Sequence, residues 1–444
     1  DVIYLEALGR KIVVLGSLEA AQALLDNRGA NYSCRPTFPL YKIMGWEPIL
    51  TMLQYGKRFL KHRRMLQQYL GGQKESLSFD HIIAEEARLL VKNFSNAAPG
   101  THRDYLQRYT VSNIMRAAFG HQVRSSDDAF LKIANDLTAS IHASGPPGST
   151  AIDVFPWLRY MPLWFPGNHY LSVALASYET TRRLFEYPLE FVRDRMKTQN
   201  YEKSFLSEKL EECEGNMDPE HLEDIKGAAA ALFIAGEDTT YASLQIFCLT
   251  MLLHPEYQQR AYEEIVSVLG PNTIPDLNDR KSLPFVEGIV QEVLRWSPVA
   301  PLGIPHRVIN DDVYNGMFIP KGATVIANIR GMSRNEKVYS NPDVFDPTRF
   351  LPQPQGRGEP HFSPVWGFGR RICPGRHFAD MELWYAMACT LATLEITPGK
   401  DDTGNLKLPE EKWSDGIVRE PFPFEFEVTP RSGAAAKLIA QIES

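Results

Sequence analysis

Cysteine is scarce in this chain and basic charge is not in excess. Each scarcity narrows what the protein does. The five cysteines, Cys34, Cys213, Cys248, Cys373 and Cys389, are odd in number and widely spaced. With no Cys-x-x-Cys pair, the pattern offers no structural zinc site, redox dithiol or disulfide framework, and a reducing compartment fits best. Lys and Arg number 47 against 54 Asp and Glu, a formal net charge of -7. Nucleic acid is therefore not an expected partner, because neutralising phosphates needs a basic excess or stripe. The longest uninterrupted apolar run, Ala228 to Ala235, falls well short of the roughly 20 residues a membrane-spanning helix requires. No Gly/Ser-rich or Pro-rich linker and no internal repeat divides the 444 residues, so one domain over 1–444 is expected. What the chain does have is 44% hydrophobic and 23% charged residues, enough for one large core.

Val2 to Leu5 and Lys11 to Leu15 read as a strand pair joined by a tight turn at Gly9-Arg10. Helical periodicity dominates from about residue 17. Residues 153–167, DVFPWLRYMPLWFPG, hold three prolines and five aromatics without helical or strand period. The ordinary expectation for such a segment is a loop folded onto the core; the functional one is a membrane-dipping or channel-lining surface. A long helix is expected from Pro219 to about Leu253, with Asp218 as N-cap, Pro219 at the first position, and a stop before His254-Pro255. Its first turns after Lys226 are small and apolar on every side, which marks a helix buried in the middle of the protein. Strand-like segments near Asp312 to Phe318, Thr324 to Ala327 and Pro421 to Val428 complete a mostly α fold with small β sheets.

The segment Trp366 to Gly375, WGFGRRICPG, carries the chemistry. Cys373, with Pro374 behind it, is expected at a helix start, where backbone N–H groups and the helix dipole favour a thiolate and hence a metal ligand. Gly367 and Gly369 permit a loop to wrap the sulfur without Cβ clashes. Arg371 can pair with a carboxylate of the bound group. An isolated cysteine is usually a buried inert thiol. An aromatic, Gly, Arg, Cys and Gly at these spacings, however, arise by chance with probability on the order of 10⁻⁴ in a chain this long.

The segment resembles the haem-binding signature of the cytochrome P-450 haem-thiolate monooxygenases, with Trp366 where that family usually has Phe. Ala235-Gly236-Glu237-Asp238-Thr239-Thr240, inside the long helix, resembles the family's oxygen-activation motif at every position. The resemblance implies that Gly236 leaves space for a diatomic ligand, that Thr239 hydrogen-bonds it, and that Asp238 relays protons from solvent. Glu292 and Arg295, three apart on a helix, would alone be a surface ion pair; the resemblance joins them to Arg349 as a structural lock. It assigns the propionates of haem b to Arg371, His306 and Arg63, with Arg64 as the alternative to Arg63, because Phe59 stands where the family usually has a hydrogen-bonding Trp. Substrate contacts carry over to Ala231, Ala235, Val299, Leu302, Ile304, Ile417 and Val418, an apolar set that implies a lipophilic substrate.

The resemblance spans nearly the whole chain and implies the family's fold, with the long helix crossing the haem. It also implies a reaction in which one oxygen atom of dioxygen enters the substrate, helped by electron donation from the thiolate. No flavin or nicotinamide fingerprint is present, so electrons are expected from NADPH through a separate flavoprotein reductase docking on Arg370 and Arg376. Resemblance to fungal microsomal members further implies a monomer in peripheral contact with the cytosolic face of the endoplasmic reticulum membrane, and an N-terminal anchor outside this chain, which begins at Asp1. Two rival readings stay open at this point. A haem-thiolate isomerase, dehydratase or peroxide user would need no reductase, and a haem sensor would need no acid-alcohol pair.

Overall fold

The structure is a computed structural model, and it describes residues 1–98, 100–125, 127–145, 148–213, 218–399 and 405–442. Its first hairpin pairs β1 (Val2–Ala7) with β2 (Arg10–Leu15), Val2 opposite Leu15 and Ala7 opposite Arg10. The turn falls on Leu8 and Gly9, both at positive φ, and Arg10 already lies in the strand, one position earlier than expected. The hairpin is the edge of a four-stranded sheet ordered β1-β2-β6-β3, with β3 at His306–Arg307 and β6 at Thr324–Ala327. Parallel pairing of β2 with β6 sets Ile12 against Thr324, and antiparallel pairing of β3 with β6 sets His306 against Val325. Residues about 300 positions apart thus meet on one sheet, and that sheet delivers His306 to the site. A separate hairpin, β4 (Asp312–Tyr314) with β5 (Met317–Ile319), and a pair, β7 (Leu394–Pro398) with β8 (Phe426–Pro430), complete the β structure of the described residues.

The rest is mainly helical. The central helix runs Pro219–Leu253, its N-cap at Asp218 and its end at His254, as the Asp-Pro and His-Pro punctuation predicts. At ~1.5 Å per residue it spans roughly 50 Å. It is buried from Asp224 through Phe233 and again from Ala242 to Leu252, so its cost of ordering is offset by apolar burial on all sides. Helix His102–Phe119 packs along it, closely enough that a Cβ at Gly236 would lie 2.8 Å from the Ile114 side chain. Helices Lys57–Leu70 and Arg376–Thr393 also contact it, the second carrying Phe378, Met381 and Leu391 into the main core.

Residues 153–167 depart from expectation. They contain the end of a helical turn, Ala151–Val154, and a 3₁₀ turn, Pro156–Tyr160. Only part of the segment folds onto the core: Leu158 is buried, but Trp164 is 81% exposed and Tyr160 72%, with Phe155, Trp157 and Leu163 also exposed. Turn hydrogen bonds within the segment hold its backbone, and buried polar side chains brace it and its neighbours. Asn168 Nδ2 donates to the carbonyls of Leu158, Met161 and Pro162, and Asp153 accepts from the amides of Leu40 and Gly148. With its backbone satisfied from inside, the segment can present aromatic rings to the surface.

Glu292, Arg295 and Arg349 form one wholly buried cluster. Arg295 Nε and Nη2 donate to the two Glu292 oxygens at 2.7 and 2.8 Å, and Arg349 Nε donates to Glu292 Oε1 at 2.9 Å. Arg349 also reaches Glu359 at 2.6 Å, and Arg295 caps the carbonyls of Ser333 and Pro342. The cluster ties helix Pro284–Trp296 to the chain that leads into the Trp366–Gly375 loop.

Candidate active site

The thiolate loop is shaped by two glycines at positive φ, Gly367 at 76° and Gly369 at 53°. Gly369 is required for a second reason: a Cβ there would lie 2.1 Å from the Leu25 carbonyl oxygen. The Cys373 amide returns to the Trp366 carbonyl at 2.8 Å, closing the loop around the sulfur. The helix begins at Arg376 with Gly375 as N-cap, so Cys373 precedes the helix rather than opening it. Burial pushes the Cys373 thiol up, against the Gly375 amide and the Arg63 and Arg376 charges, which pull it down. Desolvation therefore outweighs the helix-start effect expected from sequence. Coordination to a metal ion is what would favour the anion there.

A single cavity is lined by Cys373, Trp366, Gly367, Phe368, Arg371, Arg63 and His306 on one part of its wall, and by Ala235, Thr239 and Thr240 of the central helix on another. Thus, of the residues expected at the site, the structure brings together Cys373, Trp366, Gly367, Arg371, His306, Arg63, Ala235 and Thr239. Gly369 and Asp238 lie outside the lining. Asp238 is next to Thr239 on the helix, and its charge acts on Glu237. Gly236 faces Ile114, and its missing side chain permits close packing of the two helices.

The cavity holds an excess of buried positive charge. Arg63, Arg371 and His306 are joined by Arg35, which sequence reasoning missed. Arg35 Nη1 donates to the carbonyls of Ile304 and Pro305 at 2.6 and 2.8 Å, and its Nε to Thr51 at 3.2 Å. Arg371 donates to the carbonyls of Ser33, Leu50 and Leu53 and stacks over Phe59, 3.7 Å from the ring centroid. Phe59 therefore supports Arg371 even though it cannot donate a hydrogen bond. Arg63 donates to the Ile372 carbonyl, whereas Arg64 is exposed, which places Arg63 at the site. His306 Nδ1 lies 2.7 Å from the Tyr32 carbonyl.

Among the described residues no carboxylate pairs with any of the four. Burial lowers them all, Arg371 to about 10 and Arg35 well down, and mutual repulsion adds to it. Unpaired buried cations are costly unless a ligand supplies the anion. A flat dianionic macrocycle carrying a metal would match this set: two carboxylates for the guanidinium groups, the Cys373 sulfur for the metal, and an apolar wall for the ring. The residues fit haem.

Above the sulfur, Thr239 Oγ1 donates to the Ala235 carbonyl at 2.7 Å, which leaves its oxygen lone pairs to accept a further proton donor. Glu237 points elsewhere: it is buried, accepts from Gln107 at 3.1 Å, and is pushed up to about 7 by burial first and by Asp238 second. Of the expected substrate contacts, Ala235, Val299 and Ile304 line the cavity. Ala231 is buried outside it, Leu302 is 51% exposed, and Ile417 and Val418 do not reach it. Ala300 and Gly303 line it instead of Leu302, because the turn closed by the Gly303 amide on the Ala300 carbonyl puts residues 301 and 302 at its outer tip, a phase that sequence spacing does not reveal.

Behind the central helix, Glu382 is 1% exposed and accepts from Asn113 Nδ2 at 3.1 Å. Burial pushes its carboxyl from the ordinary 4.5 up to about 8. The folded state therefore holds a proton that the unfolded chain releases, and stability is lost as pH rises from about 4.5 towards about 8. Glu382→Gln should remove that slope, so that the variant's melting temperature gains on the wild type between about pH 5 and about pH 8. A constant difference across the range would show that Glu382 does not titrate there.

The description "Cytochrome P450" belongs to the family model that matches residues 1–428. Cytochrome P450 monooxygenase 136 of Postia placenta is 35% identical over all of this chain and 84% of its own length. Cytochrome P450 monooxygenase claR of Ampulloclitocybe clavipes is 35% identical over 97% of this chain and 80% of its own. A zebrafish cytochrome P450, solved with abiraterone, has the same fold, with a TM-score of 0.77 at 22% identity over 97% of this chain and 96% of that one.

Proposed function

The chain belongs to the cytochrome P450 family and is an oxidoreductase of the monooxygenase type, and from that premise we propose how its own residues do the work. Haem b, when bound through Cys373, supplies the metal at which dioxygen is activated. The observation that carries the reading is the convergence of Cys373, Arg35, Arg63, Arg371 and His306 on the one cavity that Thr239 also lines. Arg35, Arg63 and Arg371 would hold the propionates, with His306 beside them, its imidazole held well below its ordinary value by burial and the neighbouring guanidinium groups. Glycines at 367 and 369 keep the sulfur wrapped and dry. Thr239 accepts and passes a hydrogen bond at the oxygen side, and Asp238, beside it in the chain, brings protons to it.

Val299, Ala300, Gly303 and Ile304 give the substrate side small and aliphatic walls, which supports a lipophilic small molecule as substrate. Electrons come from NADPH through a separate flavoprotein reductase that docks by the thiolate loop, where Arg370 is exposed and Arg376 half-buried. The exposed rings of Trp157, Tyr160 and Trp164 support peripheral contact with a membrane, in keeping with the cytosolic face of the endoplasmic reticulum.

The test is reconstitution with an NADPH-dependent flavoprotein reductase and a lipophilic compound selected by its displacement of water in a spectral titration. Thr239→Ala should keep consuming NADPH while product falls about 10²-fold, the lower end of a general acid–base contribution, with hydrogen peroxide rising in its place. Unchanged coupling of NADPH to product would remove Thr239 from the role, and turnover without reductase or NADPH would favour the peroxide-using reading.

A further inference from the structure

Helix Lys57–Leu70 shows two functional faces. Phe59 and Arg63, one turn apart, line the cavity. Arg58, Lys61 and His62 lie on the neighbouring face, at helical spacing, and all three converge on one carboxylate of the central helix. Arg58 Nε meets Asp224 Oδ1 at 2.6 Å, Lys61 Nζ meets Oδ2 at 2.7 Å, and His62 Nε2 lies 3.1 Å from Oδ1. Asp224 is 2% exposed. Burial alone would raise it, but the hydrogen bonds from Lys61, His62 and Arg58 hold it at about 2. One turn further on, a Cβ at Gly227 would lie 2.3 Å from the Pro48 carbonyl, so the central helix is seated firmly where the acid stands.

We propose that Asp224 is a positioning residue for haem binding, setting the rotation of helix Lys57–Leu70 about its own axis so that Arg63 faces the cavity. Three attachment points on one face fix a helix against rolling, which one ion pair does not. Successive helix residues differ by about 100° in direction, so a roll of a fraction of a turn would swing Arg63 away from the Ile372 carbonyl and the propionates. Asp224 touches neither haem nor substrate; it acts through Arg63. The inference rests on the haem reading above and extends it to a residue more than 100 positions before the thiolate loop.

The test uses purified ferric holoprotein and measures haem loss to excess apomyoglobin together with the reduction potential. Asp224→Asn should lose haem about tenfold faster, the usual scale for a residue that orients a ligand, and Asp224→Glu should restore the rate to within about twofold. Both the faster loss and the potential shift should vanish in an Arg63→Gln background, where Asp224→Asn adds less than about twofold. Equal acceleration in both backgrounds, or none in the wild type, overturns the proposal, since a purely structural cluster is blind to Arg63. If Asp224→Asn does not fold, the Arg58→Gln/Lys61→Gln pair on half-exposed side chains should accelerate haem loss in the same Arg63-dependent way, and additivity there overturns it equally. A wild-type protein with no thiolate-haem spectrum would defeat the haem reading and this proposal together; a normal spectrum with additive variants would defeat this proposal alone.

Discussion

Cys373→Ala is expected to abolish the absorbance near ~450 nm of the reduced carbon monoxide complex, the band that thiolate ligation produces, and to weaken haem retention as well. No other described cysteine lines the cavity. Cys34 is engaged by Gln54 at 3.1 Å and Arg307 at 3.2 Å, while burial pushes Cys248 far up and Cys389 up to about 12. Cys248 and Cys389 are inert, buried thiols, and Cys34, although the Arg307 guanidinium pulls it down, is held at Arg307 and Gln54 outside the cavity. The loss should therefore be complete rather than partial, with no second sulfur to take over. Survival of the band in the variant would identify another ligand and would remove the foundation of the functional reading.

The second large effect concerns stability. Glu292→Gln leaves the guanidinium groups of Arg295 and Arg349 wholly buried with their shared carboxylate gone. Breaking a buried pair on one side costs about 3–5 kcal/mol, against a total that for most proteins is only about 5–15 kcal/mol. The expected result is little or no soluble, haem-loaded protein, checked by expression yield and the ratio of haem to protein absorbance. A control comes from Lys197 and Asp194, which also pair at 2.8 Å but are 73% exposed each. Removing that contact should change stability by no more than about 1 kcal/mol. Equal tolerance of both substitutions would show that the buried cluster contributes no more than a surface pair.

The contrast between these two ion pairs also shows where sequence reasoning stops. Glu292 and Arg295 sit three apart, as do Asp194 and Lys197, and spacing alone does not distinguish them; the family resemblance points to Arg349, and the surrounding burial sets the energy. Arg35 is a similar case. Its neighbours Cys34 and Pro36 carry no motif, and its role appears when the carbonyls of Thr51, Ile304 and Pro305 converge on it beside Arg371. Gly236 sits in the oxygen-activation motif, and only the packing shows that the helix turns it towards Ile114. Residues 153–167 show no period because their backbone runs through short successive turns, braced by Asn168, rather than one regular element.

The linear sequence by itself determined the glycine-bent loop around Cys373 and the length and burial of the central helix. It also determined the family to which the chain belongs. These rest on short-range geometry: a turn that needs positive φ, a proline that opens or closes a helix, an unbroken apolar face. Tertiary structure alone decided which cations share the cavity, which side of each helix faces it, and that Asp224 gathers three charges from a distant helix. Those outcomes depend on how elements far apart in the chain roll and dock, and the energy that selects the roll belongs to contacts that no local pattern contains.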